Sequence, residues 1–315
     1  NGLDYMLNEV IVGVGGKQCI FNLCLAILEM GDEVVIPAPY WVSYADIVQL
    51  TGAKPIIVTC DISQQFKITP SQLEESITDA TKLVFLNSPS NPTGAVYSKD
   101  ELRSLADILL KHPHVYIGTD DIYEHINLGD NPFYNILMVE PKLKDRVIVL
   151  NGVSKAYSMT GWRIGFAAGP KEIISAMSKL QSQSTSNPTS ISQVAAEAAL
   201  RGSRDCIIPM VKAFKERHEY VLEALNDING VKCIPAEGAF YAFCDAHEAI
   251  DQLYESRKID QKNDLAFADY LLESQGVAVV PGSAFGLDGY FRISFATSMD
   301  NLVEAIKRIK KAIEG

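Results

Sequence analysis

The chain has 315 residues, 47% of them apolar, and carries 28 Lys and Arg against 39 Asp and Glu for a formal charge of −11. That apolar content excludes a disordered chain, and the acidic balance leaves no basic footprint for a nucleic-acid backbone, so no nucleic-acid partner is expected. No apolar run approaches the roughly 18 residues that span a bilayer, so no membrane partner is expected, and at roughly 100–200 residues per domain the length suggests two domains.

In chain order, an apolar helix is expected over 17–30, stopped by Gly31. Continuous Val/Ile/Leu/Phe runs at 33–37, 55–59, 82–87, 114–119, 146–151 and 163–168 have the look of strands buried on both faces. Between them, Thr69 to Gln72 has a capping-box cadence with Pro70 at the first helical position, and Ser98 with Glu101 opens a helix through Leu110. His112 and His114 flank Pro113 at that helix's exit and are expected in a solvated loop. Such alternation predicts an α/β fold with a mostly parallel central sheet flanked by helices.

The pattern changes after about residue 203. A long amphipathic helix over 204–227 is followed by strand-like 231–234 and 239–244, a helix over 263–275, and strands near 277–280 and 290–295. A last helix carries Leu302, Ile306, Ile309 and Ile313 at helical spacing, with Lys307, Lys310 and Lys311 on its wet face. We expect a large domain over 1–205 and a smaller α+β domain over 206–315. Six cysteines with no C-x-x-C pair are expected to be buried small apolar residues of a reducing compartment, and no metal site is expected.

Three polar clusters close buried strands, where open α/β sheets place ligands. They are Asn87 to Gly94 (NSPSNPTG), Thr119 to Tyr123 (TDDIY) and Asn151 to Lys155 (NGVSK). Taken singly, Asp120 is an ordinary helix cap, Lys155 a loop lysine and Arg163 half of an ion pair. Their joint order is more specific. A strand-end Asn, a strand-end Asp with Tyr three later, a strand-end Lys and an Arg eight later form one signature. The Gly13 to Gln18 segment (GVGGKQ) is no dinucleotide fingerprint, because Gln18 replaces the third Gly, and no Walker loop, because Ile11 replaces the first. It remains a Gly-rich turn opening a helix, suited to one phosphate.

With these residues in hand, the chain resembles the fold-type I, pyridoxal-phosphate-dependent aminotransferases, nearest to aspartate aminotransferases of the bacterial type. VGGKQ (14–18), PYWVSY (39–44), NSPSNPTG (87–94), TDDIYEH (119–125), NGVSKAYSMTGWRIG (151–165) and FRISFA (291–296) carry the resemblance. It implies that Lys155 forms an imine with the cofactor aldehyde and then shuttles the α-proton. It implies that Asp120 pairs with the pyridine nitrogen, that Tyr123 and Asn91 hydrogen-bond the ring oxygen, and that Trp41 stacks on the ring. Arg163, with the backbone of Gly16 and Lys17, would hold the phosphate. Arg292 would grip the substrate α-carboxylate, with Trp41 and Asn91 nearby, and Lys17 would reach the distal carboxylate of a dicarboxylic substrate.

The resemblance thus implies a ping-pong aminotransferase for aspartate and 2-oxoglutarate. Prephenate or aromatic transamination is the near alternative, and a lyase of the carbon–sulfur or aminocyclopropane-carboxylate type the more distant one. It also implies a cytoplasmic homodimer, an organelle being the other location left open. Three departures stand out. Family members carry an N-terminal segment, with a clasping arm and a loop over the substrate, that is expected to be missing from a chain opening on Asn1. Gly152 stands where many relatives have a phosphate-contacting Ser. Asp121 replaces the usual Glu, a change expected to be tolerated.

Overall fold

The computed structural model describes all residues, Asn1 to Gly315. Its strands are β1 (Val10–Val14), β2 (Glu33–Ala38), β3 (Lys54–Thr59), β4 (Thr81–Asn87), β5 (Tyr116–Asp120), β6 (Val147–Gly152), β7 (Ile164–Ala168), β8 (Lys232–Cys233), β9 (Tyr241–Asp245), β10 (Val280–Pro281) and β11 (Tyr290–Ser294). The helices are α1 (Gly16–Ile27), α2 (Ser43–Leu50), α3 (Pro70–Ser76), α4 (Lys99–Lys111), α5 (Ile136–Val139), α6 (Lys171–Ser182), α7 (Ser190–Arg201), α8 (Ile207–Asn226), α9 (His247–Glu255), α10 (Asp264–Gln275) and α11 (Met299–Glu314).

The first seven strands form one sheet in the order β1-β7-β6-β5-β4-β2-β3. Strands β2 to β6 pair in parallel, β7 runs antiparallel to β6, and β1 runs antiparallel to β7. Two apolar layers sandwich this sheet. Leu23, Leu83, Phe85 and Met177 pack on the α1/α6 side, and Leu73, Val84, Leu105 and Leu109 on the α3/α4 side. Strands buried from both sides carry apolar residues without alternation, which explains why these runs are legible in the sequence. The remaining strands form a four-stranded antiparallel sheet, β10-β11-β9-β8, covered by α8 to α11. Its core also takes in Tyr123, Ile126 and Leu128, and Leu128 N–H donates to Glu237 O at 2.8 Å.

The expected strands form within one or two residues, as do both capping boxes, except that the strand expected near 277–280 is reduced to Val280–Pro281. The departures have local causes. Helix α1 ends at Ile27, short of Gly31, because Asp32 captures the Glu29 N–H at 2.9 Å and starts a turn. The 114–119 strand starts at Tyr116, after a turn closed by Val115 N–H on His112 O at 3.2 Å. The 204–227 helix is split, with a short 3-10 turn over Arg204–Cys206 capped by Ser203 before α8 begins. Strand β1 was not expected, because Gly13 and Gly15 make VIVGVGG read as turn. Cys206 is exposed, against the expectation of burial; the other five cysteines are buried and all six are free.

Candidate active site

Strands β4, β5 and β6 run in parallel and end at one edge, bringing Asn87, Asp120 and the segment leading to Lys155 side by side. Asn87 ties two of the clusters together. Its Nδ2 donates to Asp120 O at 2.8 Å, and its Oδ1 accepts from Asn91 N–H at 2.8 Å. Asp120 is only 8% exposed. Its Oδ2 accepts from the Tyr44 hydroxyl at 2.6 Å and its Oδ1 from Ile122 N–H at 3.3 Å. Burial pushes its carboxyl above the usual range, opposed by the Tyr44 and Ile122 bonds and by Lys155. Burial, together with the charges of Arg292 and Arg163, lowers the Lys155 ammonium, favouring the neutral amine. Lys155 Nζ lies 5.6 Å from the Tyr123 ring centre and 5.5 Å from that of Phe240. Asp121 is a different kind of acid. It is buried and satisfied by Thr119 Oγ1 at 2.7 Å and Asn135 Nδ2 at 2.6 Å, and faces away from this edge.

The Gly-rich turn lies against the sheet because glycines leave room. Gly165 pairs with Gly13 on one side and Gly152 on the other. A Cβ at Gly165 would stand 2.3 Å from Gly16 N, and a Cβ at Gly15, where φ is +81°, would stand 2.5 Å from Arg163 Nη2. The first-turn N–H groups of Gly16 and Lys17 therefore open beside the Arg163 guanidinium, a donor set suited to phosphate. Gln18 holds the turn, its Oε1 accepting from Val14 N–H at 2.6 Å and its Nε2 donating to Thr185 Oγ1 at 2.8 Å. Gly152 also has a structural reason. A Cβ there would meet Ile164 O at 2.9 Å and Gly165 Cα at 3.0 Å. Lys17 Nζ sits 5.0 Å over the Trp41 ring.

From the second sheet, β11 presents Arg292. Its Nη1 donates to Asn91 Oδ1 at 2.8 Å, while its Nε is buried and has no partner. The guanidinium lies 4.4 Å from the Tyr241 ring centre and 4.9 Å from that of Phe285. The Tyr123 hydroxyl is 3.0 Å from the Tyr241 hydroxyl.

One cavity of about 560 Å³ gathers these groups. Gly16, Lys17, Trp41, Asn91, Asp120, Tyr123, Lys155, Arg163 and Arg292 all line it, so the nine residues singled out from the sequence share one space. Ser154, Thr160, Tyr241 and Phe285 line it too and were not singled out. Tyr44 lies just behind Asp120, and the PYWVSY segment that contains it points to no role for its hydroxyl. An aromatic on the apolar face of a helix gives no sign of its hydroxyl's partner. Tyr241 likewise reads as a core residue at the start of a strand.

The family description "Aminotransferase class I and II" matches residues 1–309. The chain belongs to this family. Among its relatives, this class I and II aminotransferase is 56% identical over 309 residues to the aspartate/prephenate aminotransferase of Nitrosomonas europaea, covering 98% of this chain and 78% of that protein. It is 51% identical over 312 residues to an aspartate aminotransferase of Rhizobium meliloti, covering 99% and 76%. The crystal structure of the aspartate aminotransferase from Rhizobium meliloti superposes with a TM-score of 0.95 at 48% identity, covering all of this chain and 78% of that one. The Thermus thermophilus aspartate aminotransferase with maleate gives a TM-score of 0.89 at 39% identity, covering 99% and 78%. The aminotransferase exchanges an amino group between amino acids and 2-oxo acids. No helix in it is long and apolar enough to cross a membrane.

Proposed function

We propose that the enzyme uses pyridoxal 5′-phosphate to move the amino group between L-aspartate and 2-oxoglutarate in a ping-pong cycle. The observation that carries this is the convergence of Lys155, Asp120, Arg163 and Arg292 on one cavity. The donor set fits the cofactor. A buried carboxylate without a bonded cation awaits a ring N–H, a glycine cradle with free N–H groups and Arg163 suits the phosphate, and Trp41 offers a flat face. When bound, the cofactor supplies the electron sink for the bond that breaks at the substrate α-carbon.

The chain's own residues supply the rest. Lys155, lowered toward the neutral amine, takes and returns the α-proton. Asp120 keeps the ring nitrogen protonated, while Tyr123 and Asn91 donate to the ring oxygen. Arg163 and the backbone of Gly16 and Lys17 hold the phosphate. Arg292 takes the α-carboxylate with the fork edge that includes its unpartnered Nε, since Nη1 is engaged with Asn91. Lys17, exposed at the cavity rim, reaches the distal carboxylate. The names of the relatives also support a second reading, prephenate as amino acceptor in the same site.

Exposed apolar residues on α7, Ile191 at 72% and Val194 at 66%, support a homodimer, and the six free cysteines suit the reducing cytoplasm.

Borohydride reduction after adding pyridoxal phosphate tests the centre: label on Lys155 is expected, and a Lys155→Ala protein that still takes it would overturn the assignment. Aspartate is expected to convert the bound cofactor to its amine form; no such conversion, together with stoichiometric thiol, ammonia and pyruvate from cystathionine, would make the enzyme a lyase.

A further inference from the structure

Tyr241 opens β9, where it stands opposite Ser294 of β11, while Arg292 stands opposite Phe243. Tyr241 and Arg292 are therefore diagonal neighbours on one face of the sheet, close enough for a ring to meet a guanidinium. Two contacts leave this one side chain in different directions. Its ring faces the Arg292 guanidinium at 4.4 Å, with Phe285 on a second side at 4.9 Å. Its hydroxyl lies 3.0 Å from the Tyr123 hydroxyl. Tyr241 is buried, which strengthens both contacts.

We infer that Tyr241 is a positioning residue serving both ends of the substrate site: its ring fixes the plane of Arg292, and its hydroxyl turns the Tyr123 proton toward the cofactor ring. The argument for the second half is one of donor counting. A tyrosine hydroxyl has one proton. If Tyr123 gives its proton to the ring oxygen, it must accept from Tyr241, and accepting makes it the stronger donor. The charged groups facing Tyr123 are Lys155, Asp120 and Arg292, and the hydrogen-bond partner of its hydroxyl is Tyr241. This inference rests on Arg292 as the carboxylate grip and Tyr123 as the ring-oxygen donor.

Two substitutions separate the two roles in the cofactor-loaded enzyme. Tyr241→Phe keeps the ring and deletes the hydroxyl. The pH midpoint of the bound cofactor's visible absorbance is expected to rise by about 0.4–1 pH unit, from the loss of one hydrogen bond. The dissociation constant of succinate, a non-reacting dicarboxylate measured by calorimetry, is expected to stay within about twofold, since the ring contact survives. Tyr241→Leu deletes the ring, and succinate is expected to bind about 5- to 30-fold more weakly. Phe285→Leu removes the second aromatic contact and weakens succinate in the same direction, which keeps the test decisive if the Tyr241→Leu protein does not fold. An unmoved midpoint in Tyr241→Phe, or succinate affinity unchanged by both leucine variants, overturns the inference. Arg292→Leu is the separate control: if it binds succinate as well as the parent, the reading of Arg292 fails instead.

Discussion

Replacing Tyr44 with Phe removes one hydroxyl and leaves in place the ring, which stacks on Phe85 at 4.6 Å and 8°. Asp120 then loses the shorter of its two hydrogen bonds, the one at 2.6 Å, and keeps only the Ile122 N–H at 3.3 Å. A hydrogen bond to a charged group contributes about 1.5–3 kcal/mol, so its loss pushes the carboxyl further above the usual range than burial already does. The sign follows from proton counting. A carboxyl whose folded pKa exceeds its unfolded value of about 3.9 binds more protons when folded, so stability falls as pH rises between the two values. The substitution moves the upper limit higher and deepens the fall. In urea unfolding of the cofactor-free protein, Tyr44→Phe is expected to lose about 1–2 kcal/mol more at about pH 8 than at a pH near the unfolded value of about 3.9. In the loaded enzyme kcat is expected to drop about tenfold, with KM for aspartate within about twofold, because Tyr44 acts on Asp120 and not on the substrate. Equal destabilisation at high and at low pH would show that Asp120 does not depend on Tyr44.

Arg292→Lys leaves a point charge in place of a fork, and KM for aspartate is expected to rise about 10- to 100-fold in steady-state assays. Lys17→Ala is expected to lower kcat/KM about tenfold or more for aspartate but much less for phenylalanine; equal losses would confine Lys17 to the phosphate turn. Gly15→Ala places a Cβ 2.5 Å from Arg163 Nη2 at a backbone φ of +81°. Fluorescence titration is expected to show at least about tenfold weaker cofactor binding, with a stability loss of about 1–3 kcal/mol.

The large sheet and most of the candidate site are legible in the sequence for a common reason. Strands buried on both faces have no solvent side, so a polar residue at their ends, such as Asp120 or Asn87, is conspicuous against the apolar run. Strand β1 lacks that contrast. It is an edge strand interrupted by Gly13, and its glycines serve the approach of α1 to Gly165, a contact that only the folded chain defines. Tyr44 and Tyr241 escape notice for a different reason. Each sits in an apolar pattern that its ring satisfies, while its role depends on a hydroxyl partner more than seventy positions away.

The partition of the cavity between two sheets has a mechanical consequence. Lys155, Asp120 and Arg163, proposed to handle the proton and the phosphate, are held by the first sheet, while Arg292, Tyr241 and Phe285 stand on or beside the second. A shift of the second sheet against the first would therefore move the Arg292 side of the cavity relative to Lys155, with the Tyr123–Tyr241 hydroxyl contact as a link between them.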